Sequence, residues 1–137
     1  MSNILVNQLT GNTTDTTIDV FAGHAADSTT RTNLEQGLAK AWAKWDASST
    51  VTLDDSLNTT SITDNGTGDF EQNLTNNMNN ADYSVTATIK YYHVSKDATV
   101  STTSMFPIFC YYVSSTGGGR TAYDTSYIST HALGDLA

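Results

Sequence analysis

The chain has 137 residues, a net charge of −8, and six Lys and Arg against 14 Asp and Glu. So few cations cannot line a phosphate backbone, and an acidic surface is repelled by anionic lipid headgroups; neither nucleic acid nor membrane is an expected partner. No run of about 18 or more apolar residues is present to span a bilayer as a helix. Charged residues make up 15% of the chain, below the roughly 25% of an average globular protein, and Thr, Ser and Asn take their place. Thr is β-branched and favours a pleated surface, while Ser and Asn favour turns. The composition predicts an all-β protein of one main domain.

In chain order, Ile4, Leu5 and Val6 form a first apolar run, and Ile18, Val20 and Phe21 a second. Thr10-Gly11-Asn12-Thr13 is the turn signal between them. Leu34 and Leu38 lie four residues apart and predict a helix of one or two turns over residues 32–38, limited by Gly37. Residues 39–45 alternate, with Ala41, Ala43 and Trp45 on one side and Lys40, Trp42 and Lys44 on the other; Ala and Lys fit a continued helix equally well. Val51, Leu53 and Leu57 then alternate with Thr52, Asp54 and Ser56, and Asp54 and Asp55 are expected on opposite strand faces. Asn65 and Gly66 are the strongest short hairpin signal, with Phe70 and Leu74 on one face of the return strand and Gln72 between them.

Residues 76–82 read as a polar loop, followed by the cleanest alternation: Tyr83, Val85, Ala87, Ile89 and Tyr91 against Ser84, Thr86, Thr88 and Lys90. Residues 105–113 are apolar on both faces, so the strand needs cover on both sides. A small domain supplies one cover, and a neighbouring subunit is the expected second, with Phe106, Ile108 and Tyr112 as candidate interface residues. Gly117, Gly118 and Gly119 mark a hairpin tip, and residues 121–133 alternate again, with Tyr123 and Tyr127 opposite Ala122 and Ile128. The expected architecture is an antiparallel β-sandwich, jelly-roll-like, over residues 39–137. Residues 1–38, whose short runs close no core of their own, are expected to be a strand/helix attachment and oligomerisation segment. Ile4, Val6, Ile18, Val20 and Phe21 are its candidate attachment residues.

Candidate chemistry is sparse. His24, His93 and His131 have no metal-ligand spacing to one another or to Cys110, and no cofactor or enzymatic activity is expected. Asp64-Asn65-Gly66-Thr67-Gly68-Asp69 is faintly like a calcium loop, but the Asn-Gly pair already accounts for it as a turn. Cys110, the single cysteine, sits in an apolar run and is expected to be a small buried residue. The N-terminus has neither the basic region nor the continuous apolar core of a signal peptide, so a reducing cytoplasm is the expected site of synthesis. Tyr91, Tyr92, Tyr111 and Tyr112 have the chemistry to stack sugars, with core or interface packing as the competing role.

Four segments in linked order carry a family resemblance. QGLAKAW at residues 36–42, SITDNGTGDF at 61–70, NMNNADYSV at 77–85 and the terminal ALGDLA at 132–137 resemble successive segments of small tail-fibre-like appendage proteins of marine bacteriophages. That resemblance favours a strand over a helix at residues 39–45. It implies a virion structural role, assembly in the host bacterial cytoplasm, a homotrimer as the usual state, and other virion proteins as partners. Loops near residues 76–82, 95–103 and 115–120 would then face outward, toward a host surface glycan or protein. A capsid decoration protein and a soluble carbohydrate-binding module are the alternatives.

Overall fold

A computed structural model describes residues 19–21, 31–33, 37–95, 101–113 and 117–137. The chain divides into two units, residues 1–38 and 39–137. In the first, strand β1 (Asp19–Phe21) pairs antiparallel with β2 (Arg31–Asn33), Val20 opposite Thr32. The helix expected over residues 32–38 is therefore corrected at its start: the backbone groups of residues 31–33 are spent in a ladder with β1, and strand pairing overrides a weak helical spacing. Residues 34–36 lie outside the described set.

The second unit is all-β. Among its described residues nine strands follow in order: β3 (Ala41–Asp46), β4 (Thr52–Leu57), β5 (Thr59–Gly66), β6 (Asp69–Leu74), β7 (Ser84–Ile89), β8 (His93–Ser95), β9 (Met105–Val113), β10 (Arg120–Ala122) and β11 (Ile128–Leu133). One antiparallel sheet has the order β4-β3-β11-β7. The other runs β10-β9-β6-β5, with β8 also paired to β9. The two inner faces share one sandwich-like core, in which Ala41, Ala43, Trp45, Ile128 and Ala132 meet Phe70, Leu74, Phe106, Ile108 and Cys110.

Alternation in the sequence places much of this core. Ala41, Ala43 and Trp45 are fully buried while Trp42, Lys44 and Asp46 are partly exposed, so residues 41–46 are a strand and not a continued helix. On β7, Val85, Ala87 and Ile89 face inward and Ser84, Thr86 and Thr88 outward. Along β4 the simple alternation fails. Lys44 pairs with Asp55 but Trp45 pairs with Leu53, so Asp54 is an extra residue in a bulge. Asp54 and Asp55 are both exposed instead of dividing between the two faces, Leu57 turns outward, and Lys44 makes an ion pair with Asp54.

Two further expectations change register. The hairpin exists, but its turn is at Thr67 and Gly68, with Gly66 paired to Asp69 and the register shifted between Asp64 and Gly66. Asp64 Oδ1 accepts the Gly66 N–H at 3.0 Å, a local turn that absorbs Asn65 and moves the reversal two residues on. Residues 121–133 are not one strand: β10 and β11 belong to different sheets, and buried Thr125 accepts the Ala47 N–H at 2.9 Å between them.

The chain changes sheet abruptly at Asn58, which has φ 54°. Asn tolerates that left-handed conformation better than most residues. Its Nδ2 donates to Lys40 O at 3.0 Å and Asn76 O at 3.1 Å, and its Oδ1 accepts the Asn76 N–H at 2.6 Å. The loop at 76–82 is less free than its polarity implies. Met78 is buried and bridges to Leu136, Asn79 N–H donates to Asp135 O, and Ala137 N–H donates to Asn77 O.

Between the sheets lies one buried polar chain. Gln72 is fully buried on β6, between Phe70 and Leu74. It accepts the Thr130 hydroxyl from β11, and its Nε2 donates to Thr59 Oγ1 on β5 at 2.7 Å. Thr59 Oγ1 in turn donates to Trp42 O on β3 at 3.3 Å. Thr130 is aligned with Ala43 and Ala87, and this row of small side chains leaves room for the amide to reach across. Gln72→Leu is expected to lose about 1–3 kcal/mol in urea unfolding, because the buried Thr130 hydroxyl is orphaned. Adding Thr130→Val should recover part of that loss; a double variant less stable than Gln72→Leu by the full cost of a second independent substitution would contradict the coupling.

Candidate functional site

Strand β9 organises the most feature-rich surface of the second unit. Phe109 pairs with Asp69 on one side and Ser95 on the other, and Tyr111 pairs with Ala122 and His93. Strands β6 and β10 thus lie end to end along one edge of β9, and β8 lies along the opposite edge. The handover between them falls at Gly68. Its carbonyl accepts the Cys110 N–H at 2.8 Å, its N–H donates to Asp124 Oδ1 at 2.7 Å, and Cys110 O accepts the Tyr123 N–H at 3.0 Å. Gly68 has φ 69°, and a Cβ there would sit 2.3 Å from Cys110 O and 2.7 Å from Tyr123 N. Only glycine fits this close approach.

A cavity of about 510 Å³ opens at the handover, lined by Thr67, Gly68, Ser95, Phe109, Tyr111 and Arg120 together with Cys110 and Ala122. Its aromatic wall is pre-ordered. The Arg120 guanidinium lies 4.7 Å from the centroid of the Tyr111 ring, and the His93 ring stacks on Tyr111 at 5.7 Å and 19°. No described residue forms an ion pair or a hydrogen bond with the Arg120 side chain.

On the other face of the same strand end, Tyr112 packs against Tyr92 at 5.5 Å, and Tyr92 meets Tyr123 edge-on at 5.0 Å. Tyr91 contacts Tyr92 at 6.4 Å and is 70% exposed. Five of the seven tyrosines, 91, 92, 111, 112 and 123, therefore gather at one end of the five-stranded sheet. Rings packed edge-on in this way hold one another in place and leave part of their surface to solvent.

The candidate residues read from sequence distribute unevenly. Ile4, Val6 and Ile18 lie outside the described residues, and Val20 and Phe21 fall on β1. Phe106 and Ile108 are fully buried in the chain's own core, facing the second sheet, so they do not offer an intersubunit surface. The interface expected on them is corrected: the face of β9 left partly open carries Met105, Phe109, Tyr111 and Val113, the opposite phase of the strand. Tyr112 is half-buried within the tyrosine cluster. His93 and His131 belong to different sheets, and His24 lies outside the described residues. The sequence offers the Tyr-Tyr pairs, places Ser95 and Arg120 at the ends of loops expected near 95–103 and 115–120, and makes Gly68 part of a turn, but it does not bring these residues together. The doubled tyrosines were the available signal; their convergence on Arg120 depends on strand register.

Cys110 is 1% exposed, and burial, with the Asp124 carboxylate adding to it, pushes its thiol up to about 12. Tyr83 is pushed up to about 12 by burial as well, and its hydroxyl donates to Thr102 O at 2.9 Å and Met105 O at 2.8 Å. Comparisons with protein-family models, with curated proteins and with solved structures find no match to the chain.

Two outcomes follow from this geometry. Gly68→Ala should cost about 3 kcal/mol or more, since strain and backbone overlap act together. Gly66→Ala, with φ 133° but open space around its Cβ, should cost about 1–2 kcal/mol. Equal losses in denaturant titration would contradict the close approach. The raised Cys110 and Tyr83 values mean that the unfolded chain releases these protons first. Their stabilising contribution is fully present below about pH 9 and falls away as pH rises toward about 12. Melting temperature should decline across that window, and less steeply in Cys110→Ala.

Proposed function

We propose that the chain is a bacteriophage virion structural protein, a tail-fibre-like appendage whose second unit contacts the host surface. The observation that carries this reading is the tyrosine-rich end of the five-stranded sheet beside an open cavity. Exposed, mutually braced aromatic rings form a rigid contact surface at low entropic cost, and soluble monomers rarely keep such surfaces without a use. The four sequence segments that resemble marine phage appendage proteins support the same reading, and three of them lie wholly in the second unit.

In this reading the protein acts by binding. Its cysteine is buried with a raised thiol, and His93 and His131 stand on separate sheets. A jelly-roll-like sandwich is part of this reading, supported by the pairing of the first and last strands of the unit, β3 and β11. Residues 1–38 attach the unit to other virion proteins during assembly in the host cytoplasm. A homotrimer is the assembly state that this reading implies.

Antibody labelling of intact particles tests placement. Label on a tail appendage is the expected result; label on capsid facets would favour a decoration protein, and absence from particles a soluble carbohydrate-binding module. Sedimentation equilibrium at micromolar concentration should give three times the 14.7 kDa chain mass, and a stable folded monomer would overturn the trimer.

A further inference from the structure

We propose that the cavity between Thr67, Ser95, Phe109, Tyr111 and Arg120 binds an acidic carbohydrate, with the sugar carboxylate on the Arg120 guanidinium. Its volume of about 510 Å³ lies within the roughly 300–1,000 Å³ of small-ligand sites. A pyranose needs an apolar surface for its C–H face and hydrogen-bonding groups at its rim. Phe109 and the edge of Tyr111 supply the first, and the Ser95 and Thr67 hydroxyls supply the second.

The guanidinium selects the acidic class. Arg120 is one of only two arginines in a chain of net charge −8, yet no described carboxylate pairs with it. Its guanidinium lies 4.7 Å from the Tyr111 ring centroid, and His93 stacks on the same ring, so the contact restrains its planar fork. A planar fork matches a carboxylate with two parallel hydrogen bonds, which an ammonium cannot do. Asp69 lies in register with Phe109, on the edge of β9 that β10 continues, and repels an anion there. The carboxylate end of a bound sugar is therefore directed to Arg120, at the Val113 end of β9, and the hydroxyl-rich end toward Asp69 and, on the opposite edge, Ser95.

The ligand class rests on the cavity; only its location on a host surface rests on the appendage reading. The test is an NMR titration of the full chain with trigalacturonate, which has a carboxylate on every ring, and with neutral maltotriose. Saturable shifts confined to Thr67, Ser95, Tyr111 and Arg120 are expected with trigalacturonate, with maltotriose at least about tenfold weaker. Arg120→Gln should lose about tenfold or more, and Arg120→Lys, which keeps the charge but not the fork, should fall between the two. Circular dichroism checks that both exposed-site variants remain folded. Equal binding of maltotriose, unchanged binding by Arg120→Gln, or no saturable shift with trigalacturonate at millimolar concentration would each overturn the proposal. A chain located on particles that does not bind uronate sinks this inference alone, and a chain that binds uronate but is missing from particles sinks the appendage reading alone.

Discussion

Gln72 is a primary amide with no exposure to water, set between two aromatic and aliphatic neighbours on β6. Burying it without partners would cost several kcal/mol, so its position is tolerated only where acceptor and donors arrive from elsewhere in the chain. They arrive from three strands: the Thr130 hydroxyl from β11, Thr59 from β5, and through Thr59 the Trp42 carbonyl of β3. Apolar contacts between the sheets are permissive and allow sliding. A directional amide contact is not, because a slip of one residue would put Gln72 opposite a side chain that cannot answer it. The small side chains at Ala43 and Ala87 belong to the same constraint, since a larger residue in that row would close the space the amide crosses.

Fixing the relative position of the sheets has consequences at the far end of β9. The strand is shared by β6 and β10 along one edge, and the exchange between them is possible because Gly68 lets two backbones approach without a Cβ. That exchange exposes the floor of the cavity and positions Arg120 over Tyr111. The same strand end sends Tyr112 to the opposite face, into contact with Tyr92 and Tyr123. Rigid interior and adhesive rim are thus two results of one strand's register. The rim also departs from the bulk electrostatics of the chain. A molecule of net charge −8 carries, where its aromatic rings are most concentrated, a guanidinium that pairs with no described carboxylate.

A turn between rigid strands also explains where variation is tolerated. Asn58 carries the chain from one sheet to the other while its side chain ties Lys40 and Asn76 together, and the C-terminal residues clamp the loop around Met78. Gly134 packs against Tyr83 and Met78, where a Cβ would come within 2.7 Å of the tyrosine. At Gly117 and Gly119 a Cβ would meet open space, whereas Gly118, with φ 67°, holds a backbone conformation that favours glycine.

The sequence by itself determined the class of structure and several of its inward faces. Ala41, Ala43 and Trp45, Val85, Ala87 and Ile89, and Phe70 and Leu74 with Gln72 between them all follow period-two alternation. That pattern is local, so it survives without knowledge of the partner strand. Only the tertiary structure decided the rest. Residues 105–113 are apolar in both phases, and it took the opposing sheet to make Phe106 and Ile108 core while Phe109 and Tyr111 remained at the surface. The bulges at Asp54 and Asn65 shift register through pairing with β3 and β6, which no local window contains. Thr32 entered a ladder because Val20 lay opposite it, and β10 parted from β11 because each found a different sheet. The meeting of Tyr111, His93 and Arg120 joins residues up to 27 positions apart through strand register, which is a property of the assembled sheet and not of any segment in it.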